Sequence, residues 1–240
     1  MEILAGLIVF IIPALIMPAF GFDVMLMLLS ATNMAVIVLC LTTRVVFPRT
    51  IPTNKEDDSK LARLSIGAMA IYFFGLNGTW AFLAIVGAHL NLSPAETGAA
   101  FSTSLLFGAL GSLAAIFFSG RAKLATILSI SFLGFMLFVG LISAATGFCL
   151  YFSALCIFNV VWNLSLPFTM NVTSAVDDNG RFTALNPAAQ TLGGALGPLP
   201  AGTMLATVGP AAVYAQLLPG IFLAFALYLI ISRQCHAGFQ

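Results

Sequence analysis

The stretch RVVFPRTIPTNKEDDSKLAR, residues 44–63, holds five of the chain's nine basic residues and three of its eight acidic ones. The sequence on either side of it is almost wholly apolar. In a chain that is 60% hydrophobic and 7% charged, so polar a run belongs in water. A soluble domain of 240 residues needs more charge than this to cover its surface, so the remainder belongs in a lipid bilayer. Residues 44–63 therefore read as a water-exposed connector between two membrane-embedded modules.

Working outward, the apolar runs are long enough to be counted. A bilayer core of about 30 Å needs about 20 mostly apolar residues in a helix. Continuous runs of this length are helical, because only a helix or a closed barrel satisfies its backbone in lipid. Two runs precede the connector, at 3–20 and 24–43. Six follow it, at 65–88, 95–118, 124–144, 148–174, 183–207 and 211–232. The expected fold is an all-α polytopic membrane protein of eight transmembrane helices. Residues 1–43 form one module, 44–63 the connector and 64–240 a six-helix bundle. Ser93, Pro94 and Glu96 form a capping-box pattern at the start of the fourth run.

The basic residues test the count. Five lie in the connector; Arg121 with Lys123, then Arg181, then Arg233 occupy alternate junctions further on. The intervening junctions contain no Lys or Arg. Eight crossings place all nine on one side, which the positive-inside rule makes cytoplasmic, with both termini. The expectation is an integral protein of the plasma, or inner, membrane.

Composition excludes several functions. A net charge of +1 and the absence of any basic patch with interleaved aromatics exclude a nucleic-acid partner. Cys40, Cys149, Cys156 and Cys235 form no CxxC pair, so no disulfide, metal or other cofactor is expected. Met1-Glu2 opens no positive n-region, so the first run is not expected to be a typical secretory signal. No charged or histidine side chain falls in the middle of a run, which leaves neither a proton path nor clustered catalytic groups. The chain is not expected to be an enzyme.

The six runs after the connector divide into two threes. Gly108-Ala-Leu-Gly111-Ser-Leu-Ala-Ala115 recurs as Gly194-Ala-Leu-Gly197-Pro-Leu-Pro-Ala201, each in the second helix of its three. The two octets run in opposite membrane directions under the eight-span topology, the layout of an inverted repeat. Tyr72-Phe73 and Tyr151-Phe152 also sit near the start of each triplet's first helix.

With this organisation the chain resembles the major facilitator superfamily of secondary transporters. Residues 44–63 resemble the long loop joining that family's two six-helix halves. The runs at 3–20 and 24–43 then resemble its fifth and sixth helices, and the other six resemble helices seven to twelve. Gly111 through Gly120-Arg121-Ala-Lys123 is similar to the second-half copy of the family signature. The signature's usual acidic residue is absent, since Phe117-Phe118-Ser119 precedes Gly120. The resemblance implies that four opening helices are missing and that the chain is an incomplete transporter. Those helices, in the same gene or as a separate chain, then become its partner, along with the bilayer and a small solute.

Mid-membrane amides and indoles are the candidate site. Phe73, Asn77 and Trp80 share a helix face at i, i+4, i+7. Asn159 and Asn163 share another, with Trp162 beside them, and Asn186, Gln190, Gly193 and Gly197 a third. By the resemblance, the helices carrying the first two sets line a central cavity. Tyr72, Asn77, Trp80, Asn159, Trp162, Asn163 and Gln190 are the expected cargo-lining residues. Amides that donate and accept, beside apolar indole plates, suit a neutral or amphipathic solute. The same amides could instead join helices by interhelical hydrogen bonds. Pro187, Pro198 and Pro200 among Gly193, Gly194, Gly197 and Gly202 make the 183–207 run either a bending gate or a tightly packed helix. The expected function is alternating-access transport of a small solute. The alternative is a complete eight-span membrane subunit that binds a partner and transports nothing.

Overall fold

A computed structural model describes residues 56–177, 180–214 and 216–237, together with Val24, Met27, Ser30, Ala31 and Met34. The expected spans at 3–20 and 24–43 and the connector as far as residue 55 lie outside the described residues, apart from those five, which are helical and exposed. The chain divides into two compact units, Met1–Ile51 and Pro52–Gln240. The described part of the second unit is helical, with no strand among the described residues. Its helices are α1 (Glu56–Trp80), α2 (Leu83–His89), α3 (Pro94–Phe118), α4 (Leu124–Ser143) and α5 (Phe148–Ala175). α6 (Asn186–Leu196), α7 (Pro198–Val208) and α8 (Leu217–Ala237) follow. Short 3-10 turns at Thr183–Leu185 and Pro210–Tyr214 lead into α6 and α8.

Several boundaries depart from the sequence expectation: the 65–88 run is interrupted between α1 and α2, and the 211–232 run opens as a 3-10 turn with α8 starting at Leu217. α1 begins at Glu56, so the polar stretch ends as helix rather than as loop. The 183–207 run, expected as one span, is two eleven-residue helices that meet at Gly197. Pro198 and Pro200 have no N–H to donate, so the carbonyls of Gly194 and Leu196 lose their helical donors. Gly197 keeps helical torsions, φ −56° and ψ −46°, so the hydrogen-bond ladder is interrupted while the backbone stays near its helical path. Among the described residues five segments have the length and apolarity to cross a bilayer: Lys60–His89, Pro94–Phe118, Leu124–Ser143, Phe148–Ala175 and Leu217–Gln234.

The distribution of side chains is that of a membrane bundle. α3 buries Thr97, Ala100, Ser104, Gly108, Gly111 and Ala115. Its outer face carries Leu106, Leu110, Leu113, Ile116 and Phe117, all exposed. Small residues inside and large apolar ones outside is the reverse of a soluble helix. Lipid makes sense of it, because helices there associate through close backbone approach rather than through water exclusion. Buried hydroxyls and amides follow the same logic: Ser65, Thr79, Ser104, Asn159 and Ser165 are fully or almost fully buried.

Packing proceeds in crossed pairs. α1 lies against α6 and α8, α5 against α3 and α4, while α1 meets α5 and α4 meets α8. Glycines allow the closest approaches. A Cβ on Gly111 would collide with the Val160 carbonyl oxygen of α5, and one on Gly197 with the Phe74 carbonyl oxygen of α1. Capping at the start of α3 follows the sequence pattern. The Ser93 N–H donates to Glu96 Oε2 at 2.8 Å, and the Glu96 N–H to Ser93 Oγ at 3.2 Å. After α3, Gly120 takes φ +71°, and the Arg121 guanidinium turns back to donate to the Phe117 carbonyl at 2.6 Å.

Candidate functional site: an aromatic and amide patch between α1 and α5

α1 and α5 each present an indole where they meet. Trp80 and Trp162 face one another with ring centroids 6.1 Å apart and planes at 71°. Trp80 stacks on Phe158 at 5.7 Å and receives Phe101 of α3 edge-on at 4.9 Å. Trp162 meets Phe73 at 6.0 Å and Phe158 at 5.8 Å, both edge-to-face. These separations fall in the range where aromatic pairs attract through their quadrupoles. Both tryptophans remain half-buried, so the cluster holds them in place and leaves part of each ring open.

Two amides lie near the indoles in sequence, Asn77 three residues before Trp80 and Asn163 next to Trp162. Asn77 Nδ2 donates to the Phe73 carbonyl one turn back at 3.3 Å, and Asn163 Nδ2 to the Asn159 carbonyl at 2.9 Å. Each amide thereby satisfies a donor within its own helix and keeps its Oδ1 as an acceptor. Both side chains are half-buried. Asn77 rests on Gly194 and Asn163 on Gly108, so a glycine of the facing helix makes room for each amide.

The other expected lining residues divide. Tyr72 is fully buried, its hydroxyl 2.6 Å from Ser165 Oγ and its ring stacked on Phe225 at 5.6 Å. Asn159 is 1% exposed and donates to Ser104 Oγ at 3.1 Å and to the Leu155 carbonyl at 3.0 Å. Both are interior ties, Tyr72 from α1 to α5 and Asn159 from α5 to α3. Gln190 is half-buried on α6. Asn186, which shares its face, is fully buried, with neither side-chain atom hydrogen-bonded among the described residues.

Sequence reasoning missed Phe101 and Phe158, which complete the cluster from neighbouring positions. It also missed Gln216, whose Nε2 donates to the Gly197 carbonyl at 3.0 Å. A glutamine near the start of an apolar run was the only signal. Among the described residues no group of three His, Cys, Asp or Glu side chains could hold a metal ion. The patch offers π-faces, indole N–H donors and amide oxygens, groups suited to stacking and neutral hydrogen bonding.

Neither a protein-family model nor a curated protein matches the chain. Fold and patch therefore define a class: a helical membrane protein with an aromatic and amide surface between two of its long helices.

Proposed function

We propose that the chain forms part of a secondary transporter of the major facilitator type. It carries a small neutral or amphipathic solute by alternating access, and α1 and α5 are the cavity-lining helices. Asn77, Trp80, Trp162, Asn163 and Gln190 contact the cargo; Tyr72 and Asn159 hold the helices that present them.

The observation that carries this reading is a constant register. A shift of 86 residues takes Gly108, Gly111 and Gly134 to Gly194, Gly197 and Gly220, and Asn77 to Asn163. The contacts shift with the residues. Gly108 meets Asn163 and Gly194 meets Asn77; Gly111 meets Val160 and Gly197 meets Phe74; Gly134 meets Val161 and Gly220 meets Gly75. Each pair maps onto the other under the same shift with its partners exchanged. Burial follows too: Ala68 with Ala154, Met69 with Leu155, Tyr72 with Phe158, Ile127 with Val213 and Phe135 with Ile221 are all fully buried. Two triplets that swap partners in this way are what an inverted repeat produces, and such repeats build transporter folds with a site at their interface. In this register Tyr72-Phe73 and Tyr151-Phe152 are not equivalents, because they lie 79 residues apart. The octets, not the Tyr-Phe pairs, carry the repeat.

The chain has two tryptophans, and both are in the patch, so selectively excited tryptophan emission reports on this site. Small-solute libraries titrated into the detergent-solubilised chain should yield at least one chemical class that changes tryptophan emission saturably. The change should diminish in Asn163→Ala and in Trp162→Phe. A non-transporting membrane subunit would give no saturable change with any solute, and that result would overturn the cargo site.

A further inference from the structure

The α6–α7 break has a partner that neither the repeat nor the proposed cargo site requires. Gln216, just before α8, donates from Nε2 to the carbonyl oxygen of Gly197, the residue at the break. Its amide lies in a notch on α1 left by Gly78, where a Cβ would collide with Gln216 Nε2 and approach the Gly197 carbonyl oxygen within 2.8 Å. Thr79, next along α1, donates to the Val213 carbonyl of the turn before Gln216 at 3.3 Å. Gly75 faces the Leu217 carbonyl oxygen, at 3.3 Å from its Cβ position. Four segments thus meet at one point: α1, the end of α6, the start of α7 and the approach to α8. Only one half of the Gln216 amide is used, for Oε1 is buried and has no donor among the described residues.

The corresponding place in the first triplet is built differently. The 86-residue shift puts Gly111 at Gly197, Leu164 at Gly78 and Ile130 at Gln216. Ser112 and Ala114 stand where Pro198 and Pro200 stand, and α3 runs unbroken from Pro94 to Phe118. One triplet therefore has an intact apolar crossing. The other has an interrupted helix whose break receives a glutamine amide besides its backbone contact with α1.

We propose that Gln216 is the pin of a joint at Gly197, and that α7 moves about this joint relative to α6. The prolines remove two rungs of the ladder, so the segment bends at little cost once the pin is released. Oε1, with no donor among the described residues, leaves the pinned state short of one hydrogen bond, which keeps release within reach. The joint adjoins the cargo patch, since Asn77 rests on Gly194, one turn before the break. Movement at Gly197 thus changes what Asn77 faces. The pin stands on contacts alone; the contrast with α3 rests on the repeat proposed above.

Hydrogen exchange read by mass spectrometry on the full chain in nanodiscs tests the joint without any cargo, so it can fail while the cargo site stands. Gln216→Leu removes the donor, and Gly78→Ala displaces the amide from the opposite side. Each should speed exchange across residues 199–208 by about tenfold, leaving 108–118 at its wild-type rate. Wild-type rates at 199–208 in both folded variants would overturn the pin, as would equal acceleration of the two segments. Should neither variant fold, the wild-type chain decides: 199–208 is expected to exchange faster than 108–118, and equal protection would overturn the joint.

Discussion

Single residues act in this bundle through backbone proximity and through buried hydrogen bonds, and the two can be told apart. Gly111 lets α3 touch the backbone of α5, whereas Gly140 on α4 has nothing within 4 Å of its Cβ position. Gly111→Ala must push the helices apart and should lower stability by about 1–3 kcal/mol, as overpacking does. Gly140→Ala meets open space and should raise it by about 0.5–1 kcal/mol through helix propensity. Reversible SDS unfolding of the two variants gives both signs. The asparagines separate likewise. Asn159→Ala removes a buried tie to Ser104, worth about 0.6 kcal/mol between membrane helices, and should leave the fluorescence response intact. Asn163→Ala, whose one donor bond lies within its own helix, should weaken cargo binding at near-constant stability. Phe73, Asn77 and Trp80 could be placed on one face from spacing alone. The burial of Tyr72 and Asn159 could not, because it depends on Phe225, Ser165 and Ser104, which lie on or across other helices.

At the scale of the element, local chemistry and tertiary contact share the work. The start of α3 is fixed by Ser93, Pro94 and Glu96, three neighbours whose geometry was legible in advance. Ser93→Ala should cost about 0.5–2 kcal/mol, the usual loss at an N-cap, and should speed amide exchange in the first turn of α3 while α4 stays protected. The α6–α7 break was only half legible. Pro198 and Pro200 announce a weakened ladder, and a bend and a straight, tightly packed helix both satisfy that sequence. Gln216, 19 residues on, and Gly78, on the distant α1, are what the carbonyl at the interruption meets.

At the scale of the whole molecule, the placement of Lys and Arg and the exchange of contacts between helices both fit the alternating crossings proposed above. Arg121 and Lys123 lie between α3 and α4, whereas Ala144–Gly147, between α4 and α5, contains no basic residue. Single cysteines at Ala122 and at Thr146, in a chain cleared of native cysteines, should therefore react with an impermeant maleimide from opposite sides of the membrane. Reaction of both from one side would remove the alternation of crossings and the inverted repeat with it. α3 and α4 lie against α5, and α6 and α8 against α1, so the first helix of each triplet is packed by members of the other. A chain built this way cannot bury either first helix until the second triplet is present.

Hydropathy, charge placement and local caps are properties of neighbouring residues. The sequence by itself was therefore enough to make this a helical membrane protein, to locate α3, α4 and α5 and to mark the start of α3. Which amides stay half-exposed, which tyrosines are sealed in and what meets the carbonyl of Gly197 were decided only by the tertiary structure. The physical reason is range. A helix face is set by residues three or four apart, but its environment is set by whichever helix packs against it. In this bundle that helix comes from the other triplet, out of reach of any local pattern.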